Sequence, residues 1–303
     1  MKKIYTIVLF SAFCLRGNAQ QDPQYSLYQF NQMILNPAYA GSREGFSAVA
    51  SNRQQWVGFN DAPRTTCASI HTPIMSKNIG LGLTLTNDLM GPRDVTSIYA
   101  NVAYMLKITN HTRLSFGLNA GYNRYQFHFD KITWKEGEAP SDLFSNQTSG
   151  TLDINGGLYL KSRNYFVGVS ASHINNPSAY SYDAGKVTYK LQTHFFITAG
   201  YSFILDKDVV FAPTVLVKLV DGHMNSDINA NFFLMKKMWL GAFYRTGYGP
   251  GMLFQYYITN PLRVGMSYDT GLQAARRLGP SFELMLGYDF AGTKAKMVNP
   301  RFL

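Results

Sequence analysis

From Gly45 onward, apolar and polar residues alternate along the chain with a period of two. In 78–87, Ile79, Leu81, Leu83 and Leu85 lie on one side and Gly80, Gly82, Thr84 and Thr86 on the other. Only an extended strand puts residues two apart on one face. The pattern returns in 113–122, in 151–161 and at the end of the chain, where Phe282, Leu284, Leu286, Tyr288 and Phe290 alternate with Glu283, Met285, Gly287 and Asp289. Carried along the sequence it predicts fourteen strands, among them 45–53, 64–72, 95–107, 113–129, 164–174, 187–204, 208–219, 227–236 and 281–290. A parity shift between Tyr122 and Phe127 points to a bulge. Pro213 must interrupt 208–219, because it has no N–H to give the ladder. That much strand exceeds an ordinary globular domain and suits a barrel of membrane-crossing strands.

The connections add a second pattern. The odd-numbered ones span 54–63, 88–94, 130–150, 175–186, 220–226, 248–250 and 271–280. The even-numbered ones, such as 108–112, 162–163, 205–207, Lys237 and 260–261, are mostly five residues or fewer. Long loops at one end and short turns at the other are the habit of outer-membrane barrels. An even strand number then leaves both termini on the periplasmic side. Lys218, Arg263, Asp269, Glu283 and Asp289 all fall on the parity away from lipid, as do Asp153, Asn155, Asp227, Asn229 and Asn231. Charge facing hydrocarbon would cost about 2–4 kcal/mol at the midplane. The expected fold is therefore an all-β transmembrane antiparallel barrel, with a polar lumen.

The 303 residues are 46% apolar and only 15% charged, with 21 Phe and 20 Tyr. That composition excludes a disordered chain. No internal apolar run approaches the roughly 20 residues of a helical span. Lys2 and Lys3 followed by apolar Ile4–Leu15 and the small residues Gly17-Asn18-Ala19 read as a signal peptide over 1–19, with the mature chain starting at Gln20. Phe13 occupies the place where lipid attachment at Cys14 would need a small residue. Loss of 1–19 lowers the net charge from +10 to +7, spread without a nucleic-acid patch, and leaves Cys67 as the sole cysteine. Residues 20–44 are not strand-like and are broken at Asn36-Pro37, which marks an N-terminal hatch. The barrel occupies 45–290, and 291–303 form a periplasmic tail.

Catalytic and metal motifs are missing. The six histidines show no paired zinc spacing, and there is no G-x-S-x-G or H-E-x-x-H. Gly80-Leu81-Gly82 is followed by no helix, so its glycines suit curvature or close packing within a strand. Neither an enzyme nor a cofactor is expected. Three stretches exceed what a scaffold needs: the hatch residues Asn36, Pro37, Ala38 and Tyr39; Arg53 and Trp56 in the first outer loop; and Pro300, Arg301 and Phe302 in the tail. The longest loop adds Trp134, Leu143 and Phe144. Trp and Arg are favoured as binding hot spots, so Arg53, Trp56, Trp134, Leu143 and Phe144 form the candidate partner site.

Gln24-x-Ser26, Leu35-Asn36-Pro37-Ala38-Tyr39-Ala40-Gly41 and Arg53-x-Gln55-Trp56 resemble the opening of the PorP/SprF family. Ala62-Pro63-x-Thr65, His71-Thr72-Pro73-Ile74, Gly265-x-Ser267-Tyr268-Asp269 and Pro300-Arg301-Phe302 continue the likeness over the mature chain. Asp61, where a Gly is usual, and the terminal Phe-Leu depart from it. The resemblance implies an outer-membrane barrel of Bacteroidota that works with the type IX secretion system. Such a barrel would help to secrete a partner, often a large adhesin of gliding motility, or anchor it at the surface through its C-terminal sorting domain. Partners would be that cargo, other components of the system and outer-membrane lipid. The Asn-Pro-Ala element also resembles the hatch of FadL-like, fourteen-stranded barrels. That leaves a channel for small hydrophobic ligands as the alternative, although the inward Asp and Asn residues suit a wet or plugged lumen better.

Overall fold

The computed structural model describes residues 22–43, 45–132, 146–182, 187–272 and 279–290. The alternating segments form β1 (Phe46–Gln54), β2 (Arg64–Ile74), β3 (Ile79–Met90), β4 (Arg93–Lys107), β5 (Arg113–Phe127), β6 (Gln147–Lys161) and β7 (Tyr165–Ser172). A small separate hairpin follows, β8 (Ser178–Tyr182) with β9 (Val187–Lys190). The wall resumes with β10 (His194–Tyr201), β11 (Phe203–Asp206), β12 (Val209–Phe211), β13 (Thr214–Val220), β14 (His223–Leu234), β15 (Met238–Arg245), β16 (Gly249–Tyr257), β17 (Leu262–Asp269) and β18 (Ser281–Phe290). All wall pairings are antiparallel, and β1 meets β18 from Phe46↔Phe290 to Gln54↔Phe282, which closes the ring. β10 and β11 are one strand broken at Ser202; β12 and β13 are one strand broken at Ala212-Pro213. The barrel thus has fourteen strands.

Its two faces differ as the alternation requires. Leu81, Leu85, Val102, Leu118, Leu158, Val169, Ile197, Ile228, Leu240, Leu284 and Leu286 lie exposed on the outside. An apolar face of this extent is stable only against hydrocarbon. No helix among the described residues is long and apolar enough to cross a membrane. Exposed tyrosines border the band: Tyr104, Tyr165, Tyr201, Tyr256 and Tyr288 toward the short turns, Tyr122 and Tyr244 toward the long connections. Their amphipathic rings suit the two interfaces. The inward face carries Ser47, Thr65, Ser69, Thr84, Asn101, Asn119, Asn123, Asp153, Asn229 and Gln255, all buried.

Residues 22–43 fill this lumen. Three short 3₁₀ turns, Tyr28–Phe30, Gln32–Ile34 and Pro37–Tyr39, keep the segment compact. It begins at the level of the long connections, where Asp22 meets His194 and Ser26 meets Glu283. It descends to the opposite mouth, where Arg43 meets Asp289 beside the start of β1. The first described residues therefore lie inside the barrel, at the level of the long connections.

Several elements depart from the sequence reading. The stretch 187–204 is not one strand: β9 belongs to the separate hairpin, and the wall strand starts at His194. That hairpin leans on the tall wall of β4–β6, with Ala179 and Leu191 buried against Val95 and Tyr125. The expected bulge in 113–129 is absent, because β5 keeps an unbroken register with both neighbours from Arg113 to Phe127. The parity shift instead reflects Tyr125 and Phe127, inward aromatics above the membrane band, of which Tyr125 packs under the hairpin. Two connections expected to be long, 88–94 and 220–226, are tight turns at Gly91-Pro92 and Asp221-Gly222. Pro213 does break its strand as anticipated.

Candidate functional site

The hatch meets the wall through three polar clusters, and the upper one is ionic. Arg53, next to last in β1, lies on the inward parity with 0% exposure. Its guanidinium lies 2.5 Å from Asp269 and 3.5 Å from Glu283, and it donates to Ser26 Oγ at 2.8 Å. Ser26 N–H donates to Glu283 Oε2 at 2.6 Å. Arg245 forks onto Asp227 at 3.0 and 2.9 Å and donates to the Tyr25 carbonyl at 3.0 Å. Lys218 Nζ completes the group, 3.5 Å from Asp227. Three cations thus balance three carboxylates drawn from six strands, with Ser26 at the centre. Buried charge is tolerated only when paired in this way.

The second cluster holds the start of the hatch. His173, in the connection after β7, lies 2.8 Å from Asp153 and 3.0 Å from Asp22, and His194 lies 3.1 Å from Asp22. Tyr99 Oη lies 2.8 Å from both Asp153 Oδ2 and Asn123 Oδ1. Below them an asparagine ladder runs round the wall: Asn155 Nδ2 to Asn119 Oδ1 at 2.7 Å, then Asn119 Nδ2 to Asn101 Oδ1 at 3.0 Å. Burial alone would raise the Asp22 carboxyl, but His173 and His194 hold it well below the usual carboxylate range. Burial likewise opposes the His173 imidazolium, yet Asp22 and Asp153 push it up to about 10. A cavity of about 110 Å³ lies here, between Tyr25, Thr84, Asp88, Tyr99, Asn123 and His173.

The third cluster closes the short-turn mouth. Asn36 Oδ1 accepts from Ala38 N–H at 2.9 Å, with Pro37 opening the 3₁₀ turn. Asn36 Nδ2 donates to the Leu158 carbonyl at 2.9 Å, so one side chain both caps the turn and ties it to β6. Tyr39 sits edge-on to His71 and Tyr159, at 5.4 and 5.3 Å between centroids. Arg43 and the buried Arg263 share Asp289, at 2.8 and 3.2 Å. Two wall glycines let the backbones touch: a Cβ on Gly80 would lie 2.0 Å from the Ala40 oxygen, and one on Gly117 2.1 Å from the Ala38 nitrogen.

These placements correct one expectation. Arg53 does not belong to an outer loop; it is sealed in the lumen, because it continues the inward parity of Ser47 and Val49. Trp56 does lie in the 55–63 connection, with a φ of 51° and its backbone N–H bound to Ser281 Oγ. Asn36, Pro37, Ala38 and Tyr39 come together under the wall. Trp134, Leu143, Phe144, Pro300, Arg301 and Phe302 lie outside the described residues, as does the expected signal peptide. Reading from sequence placed Asp269 and Glu283 in the lumen but missed Arg245 and Asp22 as partners. The signal was present: inward carboxylates on the last two strands need buried cations at the same height. Among the described residues no cluster is arranged to hold a metal ion.

A family described as type IX secretion system membrane protein PorP/SprF matches residues 17–288. The chain belongs to the PorP/SprF family. It is thus a type IX secretion membrane barrel, and its place is the outer membrane. No curated protein sequence matches this PorP/SprF member. Several solved structures are similar to it at low identity. The Ralstonia pickettii toluene transporter TbuX is 12% identical with a TM-score of 0.50, covering 84% of this chain and 92% of that one. A Pseudomonas aeruginosa FadL homologue is 8% identical with a TM-score of 0.43, covering 81% and 89%. Acinetobacter baumannii Omp33 is 12% identical with a TM-score of 0.46, covering 82% and 98%.

Proposed function

We propose that this PorP/SprF barrel is a non-enzymatic accessory of type IX secretion. It helps to export a partner protein, a large adhesin being the expected kind, or anchors it at the cell surface through its C-terminal sorting domain. The observation that carries this reading is the filled lumen. A hatch held at three levels, through a neutralised ionic cluster, an Asp–His latch and backbone contacts at glycines, makes a rigid binding platform, not an open pore. The long connections face outward in this reading, and Trp56, Trp134, Leu143 and Phe144 supply the contact surface. Arg53 supports that rim from within. The test is Trp134→Ala with Phe144→Ala. The variant should keep its heat-modifiable migration but release a type IX cargo into the medium. Unchanged surface retention of every cargo would remove these residues from the site. A pull-down from solubilised outer membrane would identify the cargo.

The second reading, a FadL-like channel for small hydrophobic ligands, draws on the cavity beside Asp22. Met33, Ile34, Leu35, Val95, Leu191 and Phe196 line it together with Thr84, Asp88, Tyr99, Asn123 and His173, but at about 110 Å³ it is smaller than the ~300–1,000 Å³ of a usual ligand pocket.

A further inference from the structure

The two ends of the barrel differ in charge. Lys77, Lys107, Arg113, Arg163, Lys207, Lys236 and Lys237 are all exposed, and all lie at the end with short turns. Against them this end exposes Asp206, with Asp208 partly buried 3.8 Å from Lys236. Farther in, at the mouth, Arg43 and Arg263 share Asp289, and Lys161 Nζ donates to the Ser42 carbonyl at 3.4 Å. At the opposite end the described exposed residues are mixed: Arg64, Arg124, Lys131 and Lys190 with Asp61, Asp130 and Asp221.

The position of the cations is as informative as their number. They recur at five successive short connections around the circumference: between β2 and β3, β4 and β5, β6 and β7, β11 and β12, and β14 and β15. They also sit just beyond the lower tyrosine girdle. Lys107 follows Tyr104 by three residues and Arg163 precedes Tyr165 by two. Exposed apolar residues adjoin them, with Leu106 and Ile108 flanking Lys107 and Leu205 near Lys207. A docked protein would need its charge on one sector of the rim. A collar that follows five successive short connections, with a gap only at the β16–β17 turn and the β18–β1 seam among the described residues, spans most of the rim and matches an arc of phosphates, toward which long cationic side chains extend while their stems stay in the apolar layer.

We propose that this basic collar is a binding site for anionic phospholipid headgroups in the leaflet at the short-turn end. The inference is independent of any secretion role, since it needs only the barrel and its turns. The test is lipid selectivity of the purified full chain, reconstituted in vesicles of equimolar phosphatidylcholine and phosphatidylglycerol. Spin-labelled versions of each lipid report the fraction immobilised at the protein surface. Phosphatidylglycerol should associate about threefold more strongly than phosphatidylcholine, and raising the salt to about 1 M should remove the preference. Replacing all seven collar cations by Gln should also remove it, whereas Arg64→Gln with Arg124→Gln and Lys190→Gln at the other end should not. Heat-modifiable migration verifies that each variant is folded, and a single replacement, Lys107→Gln, should give a smaller loss if the full set does not fold. Equal association of the two lipids would overturn the proposal. So would selectivity that survives in the collar variant, or loss of selectivity only in the opposite-end variant. A collar variant that keeps its lipid preference but loses an acidic protein partner would assign the collar to that protein instead.

Discussion

Arg53 shows how much one boundary residue decides. The expected strand 45–53 already contains Arg53, and β1, which runs through Gln54, delivers its side chain to a buried cluster. Its inward parity was legible in Ser47, Val49 and Ser51, but the strand end was not, because period two says nothing about where pairing stops. Arg53→Ala should strand Asp269 and Glu283 without their cation and cost about 3–5 kcal/mol, read as a lower melting temperature of the folded form on gels. Arg53→Lys should recover part of the loss, since a single ammonium cannot reproduce the fork. The Asp22 latch predicts a pH dependence. Because His173 is raised from 6.5 to about 10, its stabilisation is complete below pH 6.5 and disappears as pH rises to about 10. Asp22 acts in the opposite sense: its depressed carboxyl stabilises above the ordinary carboxylate range, and that contribution is lost as pH falls below it. In His173→Gln the fall in melting temperature between pH 6.5 and 10 should flatten; an unchanged slope would assign it to other groups.

The hatch is the element that turns a barrel into a plug. Its existence was legible at Asn36-Pro37-Ala38, where the alternation has not begun and proline breaks any helix. Its path was not legible, because no local pattern in 22–43 encodes contact with strands more than two hundred residues away. Gly80 was readable as a site of close approach, and Ala40 is what approaches it. Gly117→Val would drive a side chain into the Ala38 nitrogen, and neither backbone can yield. The hatch should leave the wall while the strands stay paired, giving a conducting barrel in a planar bilayer with unchanged strand content. Deletion of 22–41 should have the same effect and more fully. If both variants insert and neither conducts, the segment does not seal the lumen. The β8–β9 hairpin marks the limit of periodicity: Val187–Lys190 alternates as a wall strand does, and only pairing distinguishes a strand in the ring from one leaning on it.

At the scale of the whole molecule, the strand number and the inward set of charged residues followed from alternation and from the cost of charge in hydrocarbon. The loop asymmetry survives in weaker form, since 128–146 and 173–193 remain long while Gly91-Pro92 and Asp221-Gly222 shrink to turns. It still predicts orientation. Single cysteines at Asn146 and Asn176, in a Cys67→Ser background, should react with an impermeant reagent on intact cells, and one at Asn110 should not. The reverse pattern would invert the barrel, and equal labelling would remove it from the membrane. The bond from Ser26 to Glu283 joins residues 257 apart in sequence. It sits beside the β1–β18 seam that closes the ring. Residues 22–43 therefore wait for β18 to complete their ionic anchor, and loop-closure entropy delays that contact. Closing the seam completes the ionic seating of the plug. An assembly intermediate without β17 and β18 would lack the carboxylates that meet Ser26 and would still hold the hatch through the Asp22–His173 latch, the Asn36–Leu158 bond and the close contacts at Gly80 and Gly117.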